Sequence, residues 1–384
     1  MRVLIAFDKF KDALTATIAC ETARDILAEL RPDWTPDLCP LADGGEGFAT
    51  ILTAAAGGTW QSVPVTGPRG QSVESGFGLV DVAALPDAAQ VQLGLPSIQR
   101  LGVVEMATAS GLESLAPADR NPWLTDSRGT GEAIQAAIRA GAEAVLLGVG
   151  GSATNDVGVG ALQPLGWTAI NAAGDPIRQV APAGWRDLVG FEFESQGTPL
   201  PPIRIACDVA NPLLGPRGAT TIFGPQKGLQ SSDRDALESE VSRVAALLAQ
   251  ATGRPGLEAT PGAGAAGGIA YGLLTAADAK LVPGFDLVES WLGIAEKLTA
   301  ADLVITGEGS FDDSSLDGKG PGSLVHRARE AGKPVWVFAG AVNLTTPLPD
   351  ARVHAITPEG MALPQALAEA QSNLAISLRQ ALSD

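Results

Sequence analysis

The chain has 384 residues, 45% hydrophobic and 18% charged, the balance of a globular protein with room for two domains and not of a disordered one. Its formal charge of −17 excludes the positive footprint that nucleic acids and anionic membranes require, so any anionic ligand must be held by local groups. Cys20, Cys39 and Cys207 are too widely spaced for a disulfide framework or, with His326 and His354, for a zinc site. With no signal-peptide core and no apolar run near the ~20 residues of a membrane span, a soluble cytoplasmic protein is expected.

Arg2 to Phe7 reads as a buried strand, and from Thr15 a helix carries Ile18, Ala23, Ile26, Leu27 and Leu30 on one side. A strand near Leu38 and a helix from Phe48 to Ala56 follow. Val63 to Val73 then reads as a hairpin turning at Gly67 to Gly70, which interrupts the alternation. Ala144 to Leu147 is an apolar strand that leads into Gly148–Asp156 and a further helix; Ala181 to Pro202 is the weakest-patterned loop, and Ile203 to Ala206 is another strand. Regular units resume with a helix around Leu287 to Leu298, a strand Leu303 to Thr306, a helix Ser323 to Ala331, and strands Val335 to Ala339 and Val353 to Thr357. The two chain ends thus supply five strands of a parallel sheet. The predicted fold is α/β, with a parallel-sheet domain from residues 1–64 and 286–384 interrupted by a second α/β domain with a mixed sheet at 65–285.

The chemistry lies in glycine-rich runs that follow apolar strands. In Gly148-Val149-Gly150-Gly151-Ser152-Ala153-Thr154-Asn155-Asp156, glycines let bare N–H groups approach a ligand and a helix start adds partial positive charge, so a phosphate is the expected ligand. The same run matches the loose dinucleotide pattern, which leaves a kinase, a nicotinamide-dependent dehydrogenase of a small hydroxy acid, or a plain tight turn open. A dehydrogenase needs an acid for the ribose; Asp175 has about the right offset but lies in an Asn-Ala-Ala-Gly-Asp-Pro turn. Ala42–Gly47 and Thr306–Gly309 have the same grammar but are acidic. Carboxylates beside phosphate need a cation between them, which suggests a magnesium-nucleotide, unless Glu46, Glu308 and Asp156 merely favour helix ends. Lysine is scarce, and Lys9, Lys11, Lys227 and Lys319 are the candidates for phosphate contacts, with Lys9 and Lys11 alternating so as to aim at one site. Asp8, Asp43, Glu46 and Asp208 could hold magnesium or accept a hydroxyl proton. No P-loop or protein-kinase motif set occurs. A cleft between two domains suits phosphoryl transfer because closure excludes water, and switch-point geometry would bring the loops after Phe7, Leu41 and Thr306 to one sheet edge.

Eight runs occur in a specific order: Ala6-Phe7-Asp8-Lys9-Phe10-Lys11, Ala42–Gly47, Asp126-Ser127-Arg128-Gly129-Thr130-Gly131-Glu132, Gly150–Asp156, Cys207–Leu213, Phe223–Gly228, Pro261–Gly268 and Ile305–Gly309. Together they resemble the bacterial type-1 glycerate kinases over nearly the whole chain. The resemblance implies ATP-dependent phosphorylation of D-glycerate, a magnesium requirement, a flavodoxin-like domain interrupted by a second α/β domain, and 2-phosphoglycerate in preference to 3-phosphoglycerate as product. Phe7, Lys9 and Asp12 depart from the family's first motif, and Gly309–Leu316 from its last, which makes Lys11 a better catalytic candidate than Lys9. On this reading Lys11, Asp43 and Asp208 are catalytic, and Asp43, Glu46 and Asp208 hold the metal. Ser127, Arg128, Asn155 and Asn211 bind substrate, Arg128 offering a bidentate fork to the glycerate carboxylate unless it only caps its turn. Lys9, Gly150, Gly151, Ser152, Thr154, Lys227, Gly264, Glu308 and Lys319 bind the nucleotide and its phosphates. Asp208 and Asn211 could instead close an Asx turn before Pro212.

Overall fold

The computed structural model describes residues 1–383 apart from 43, 195–198, 317–319, 346, 347 and 349. Its strands, in chain order, are β1 (Arg2–Phe7), β2 (Thr35–Leu38), β3 (Thr59–Thr66), β4 (Ser72–Asp81), β5 (Arg100–Glu105), β6 (Ala144–Gly148), β7 (Trp167–Ile170), β8 (Gly190–Phe193), β9 (Ile203–Ala206), β10 (Lys280–Val282), β11 (Leu303–Asp312), β12 (Val335–Asn343) and β13 (Ala351–Ala355). They fall into two compact units, residues 1–43 with 288–384, and residues 44–287.

The first unit is built on a five-stranded sheet in the order β13-β12-β11-β1-β2, with every pair parallel. This is the flavodoxin-like order, and the direction of winding reverses between β1 and β11. Val3 to Phe7 are buried without interruption, as a strand covered on both faces requires. The helix Ala16–Leu30 starts where the Thr15 hydroxyl accepts a hydrogen bond from the Ile18 N–H at 3.2 Å. Ala19, Cys20, Ala23 and Leu27 join the sheet core with Leu374 and Leu378 of the helix Ala370–Ser383, whereas Ile18, expected on the buried side, is 38% exposed. The helix expected over Leu287 to Leu298 is two, Gly284–Leu292 and Ile294–Ala300, broken at Gly293 with φ +61°.

The second unit holds a six-stranded mixed sheet in the order β10-β9-β6-β5-β4-β3. β10, β9, β6 and β5 run parallel, while β4 and β3 are antiparallel additions, the hairpin that Gly67 and Gly70 close through a 2.9 Å hydrogen bond. Residues 44–64, drawn with the chain ends from sequence, belong here instead. The physical reason is pairing: β3 is laddered to β4 from Thr59 to Thr66, and the helix Phe48–Ala55 packs on β4 and β5. β7 and β8 form a separate antiparallel ribbon. Among the described residues no helix is long and apolar enough to cross a membrane.

Candidate active site

In a doubly wound sheet, ligands bind beyond the carboxyl ends of the strands, next to the point where strand order reverses. In the first unit a cavity of about 790 Å³ opens there, lined by Asp8 to Ala13 after β1, Glu308 to Ser310 of β11, and Ala355 to Thr357 at the end of β13. β1 ends as the Asp8 N–H donates to the Gly307 carbonyl at 3.0 Å, and the chain then closes on itself, Phe10 N–H donating to the Leu14 carbonyl at 2.8 Å. That turn puts Lys9 and Lys11 on the same cavity. Glu308 faces it too. Burial is the main cause that pushes its carboxyl up to about 7; the charges of Asp8 and Asp312 add to it, while the Ser315 hydroxyl and Lys9 oppose it. The far wall is apolar, made by Ile356, Met361, Leu363 and Leu367. One apolar wall facing a charged rim suits a ligand with a flat base and a polyphosphate tail.

In the second unit the parallel strands β5, β6 and β9 end side by side at Glu105, Gly148 and Ala206. The helix after Gly148–Asp156 is a single turn, Val159–Leu162, so its dipole contributes far less than a full helix would. Neighbouring segments hold the loop instead. The Gly150 N–H donates to the Gly44 carbonyl at 2.9 Å, and a Cβ on Gly150 would lie 2.6 Å from the Gly45 Cα. Gly151 has φ +70°, a conformation that a side chain disfavours. Asp156, fully buried, accepts from the Ser127 N–H (2.8 Å) and hydroxyl (2.7 Å) and from the N–H groups of Gly158 (3.2 Å) and Gly160 (3.0 Å). Burial raises its pKa against those hydrogen bonds. Its carboxylate therefore serves helix starts, the alternative left open from sequence. The Lys227 ammonium donates to the Ser152 hydroxyl at 2.9 Å and the Thr154 carbonyl at 2.6 Å, and burial pushes it down to about 7 despite the nearby Asp156.

The structure places several predicted residues beneath the surface. Ser127, Thr154, Asn155 and Lys227 are at most 1% exposed. The Asn155 amide donates to the Thr220 hydroxyl at 3.1 Å, while Asn155 Oδ1 and Thr154 Oγ1 have no partner among the described residues. Ser152 is buried against Lys227, and Gly264 packs on residues 211–212, its N–H donating to the Asn211 carbonyl at 3.0 Å. These hydrogen bonds shape loops. Arg128 differs: its side chain is 45% exposed, with Nε on Glu132 at 2.9 Å and Nη1 on Gln163 at 3.3 Å. Asp208, exposed beyond β9, accepts from the Phe285 N–H at 3.0 and 3.1 Å, and the Asn211 amide donates to the Arg217 carbonyl at 2.8 Å. Glu46 is half-buried in the turn before the helix Phe48–Ala55. Asp43 and Lys319 lie outside the described residues. Among the described residues no group of three His, Cys, Asp or Glu side chains is arranged to hold a metal. Asp175 closes a turn with Asn171, its N–H donating to the Asn171 side chain at 2.9 Å, which leaves the dehydrogenase alternative without a ribose-binding acid.

Sequence reasoning missed Asp126 and Glu105. Burial first, then the Asp156 charge, push the Asp126 carboxyl up to about 6, and it accepts from the Arg128 N–H at 3.0 Å. Glu105 is a lone carboxylate ending the apolar run Leu101 to Val104, a signal available in the sequence. The cavity's apolar wall was missed because Met361 to Leu367 have no motif of their own.

The glycerate kinase family model matches residues 3–383. A Bacillus subtilis (strain 168) protein named glycerate kinase is 38% identical over 351 residues, covering 89% of this chain and 86% of its own. The glycerate 2-kinase of Escherichia coli (strain K12) is 36% identical over 347 residues, with the same coverage, 89% and 86%. A crystal structure from Salmonella typhimurium LT2, provisionally assigned as glycerate kinase 2, superposes with a TM-score of 0.75 at 34% identity, covering 100% of this chain and 97% of that one. The chain belongs to the glycerate kinase family of enzymes.

Proposed function

We propose that this enzyme transfers the γ-phosphoryl group of magnesium-ATP to D-glycerate, forming 2-phosphoglycerate in preference to 3-phosphoglycerate. The observation that carries the nucleotide assignment is the 790 Å³ cavity at the β1/β11 switch point, with its apolar wall and its rim of Lys9, Lys11 and Glu308. Ile356, Met361, Leu363 and Leu367 take the base, and Lys9 and Lys11, joined by Lys319, offset phosphate charge. The name of the Escherichia coli relative supports the 2-hydroxyl as acceptor.

Magnesium is commonly held by one or two carboxylates together with substrate phosphates, so it needs no three-ligand cage of the kind absent among the described residues. Asp43, Glu46 and Asp208 are the residues assigned to hold it, and when bound it neutralises charge on the transferring group. Arg128 binds the glycerate carboxylate, Asn211 is a second substrate ligand, and Asp43 or Asp208 accepts the proton of the attacking hydroxyl. Lys227, Ser127 and Asn155 act through the loops they hold, keeping Gly150, Gly151 and the Ser152–Thr154 backbone in place.

The test is ADP release from magnesium-ATP by the purified chain, measured by enzymatic coupling with and without D-glycerate, with the product resolved by ³¹P NMR. Release that requires D-glycerate and gives the 2-phosphate is expected. Release indifferent to D-glycerate, or none at all, overturns the proposal.

A further inference from the structure

Glu105 has no part in the mechanism above, yet it is only 1% exposed at the end of β5. Burying a carboxylate is costly unless donors meet it. Here they come from the start of the helix Phe48–Ala55: the Ala49 N–H donates to Oε2 at 2.8 Å and the Gly47 N–H to Oε1 at 3.4 Å. That helix has no side-chain cap of its own, because its N-cap position is Gly47 in the left-handed conformation. Glu105 supplies from a distant strand the acceptor that a serine or aspartate would supply locally, and sets a negative charge at the positive helix end.

The consequence reaches both glycine loops. Glu105 stands opposite Gly148 in the β5–β6 register, and a Cβ on Gly148 would lie 2.6 Å from the Phe48 ring and 2.8 Å from the Gly44 carbonyl oxygen. The Gly44 carbonyl in turn accepts from the Gly150 N–H. One carboxylate thus ties together the helix start, the Gly44–Gly47 turn before it and the Gly148–Gly150 loop. From this geometry we infer that Glu105 is a positioning residue for phosphoryl transfer, setting the place of the turn that carries Glu46. The inference rests on the assignment of Glu46 to the magnesium-nucleotide made above.

A double-mutant cycle tests it, using Glu105→Gln, Glu46→Gln and the pair, with ADP release read as kcat and KM and folding read by thermal unfolding. Each single variant is expected to lose about tenfold in kcat or more while the ATP KM moves less than about twofold, and the pair is expected to be no slower than Glu46→Gln alone. A purely structural role would lower the unfolding temperature without that non-additivity. Losses that multiply, or a fully active Glu105→Gln beside an impaired Glu46→Gln, overturn the positioning role alone. A fully active Glu46→Gln overturns the magnesium assignment and the inference with it. If Glu105→Gln does not fold, Glu105→Asp, which keeps the charge but shortens the reach, enters the same cycle. Failure of both variants to fold assigns Glu105 to stability and overturns its role in the reaction.

Discussion

Lys227 gives the sharpest perturbation, because its side chain is 1% exposed and its ammonium is pushed down from 10.5 to about 7. Below pH 7 the folded and unfolded chains both hold the proton, and this group gives stability no slope. Between pH 7 and 10.5 the unfolded chain keeps a proton that the folded chain has released, so stability rises with pH by about 1.4 kcal/mol per unit. From pH 7 to 9 the expected gain is about 2 kcal/mol, since at pH 7 the folded chain has released only half of that proton. Lys227→Met abolishes that titration and strands two acceptors, the Ser152 hydroxyl and the Thr154 carbonyl, at ~1–3 kcal/mol each. Urea unfolding of both proteins at pH 7, 8 and 9, followed by circular dichroism, should show the wild type pulling ahead of the variant by about 2 kcal/mol across the range. Parallel pH profiles would refute the reasoning, because they would mean that the folded chain leaves the ammonium with its ordinary proton affinity.

Two further outcomes test the loops. Gly151→Val places a branched side chain at φ +70°, so in a variant that still folds the affinity for D-glycerate or magnesium-ATP should fall at least about tenfold by calorimetry; unchanged affinities would remove this loop from the site. Arg128→Lys keeps the charge but loses the planar fork that Glu132 and Gln163 orient, and should raise the D-glycerate KM roughly tenfold with the ATP KM unchanged. A rise in the ATP KM alone would move Arg128 to the nucleotide.

The parallel sheet was legible because Val3 to Phe7, Leu303 to Ile305 and Val335 to Ala339 are apolar runs too short for a buried helix and alternate with helical patterns. The Val63–Val73 hairpin was legible from Gly67 and Gly70. Which sheet that hairpin joins was not, since β3 reads the same whether its partner strands lie before or after it. Motif position was legible for Lys9, Lys11 and Glu308, which the β1 turn and β11 bring to one cavity. Depth was not: Ser127, Asn155 and Lys227 are polar residues in motif runs, and partners distant in sequence turn them inward, Asp156 for Ser127, Thr220 for Asn155 and Ser152 for Lys227. That the helix after Asp156 is a single turn was a signal not used: Val157 to Leu162 holds two glycines and two valines, poor helix formers, and β7 already begins at Trp167.

The central claim is that the switch-point cavity holds the nucleotide. Thr357→Trp fills that cavity from its half-buried rim at the end of β13 while leaving the sheet core untouched. Calorimetric titration with magnesium-ATP is predicted to show affinity weakened by about tenfold or more relative to wild type, with D-glycerate binding unchanged. Equal magnesium-ATP affinity in a folded Thr357→Trp protein would contradict the account.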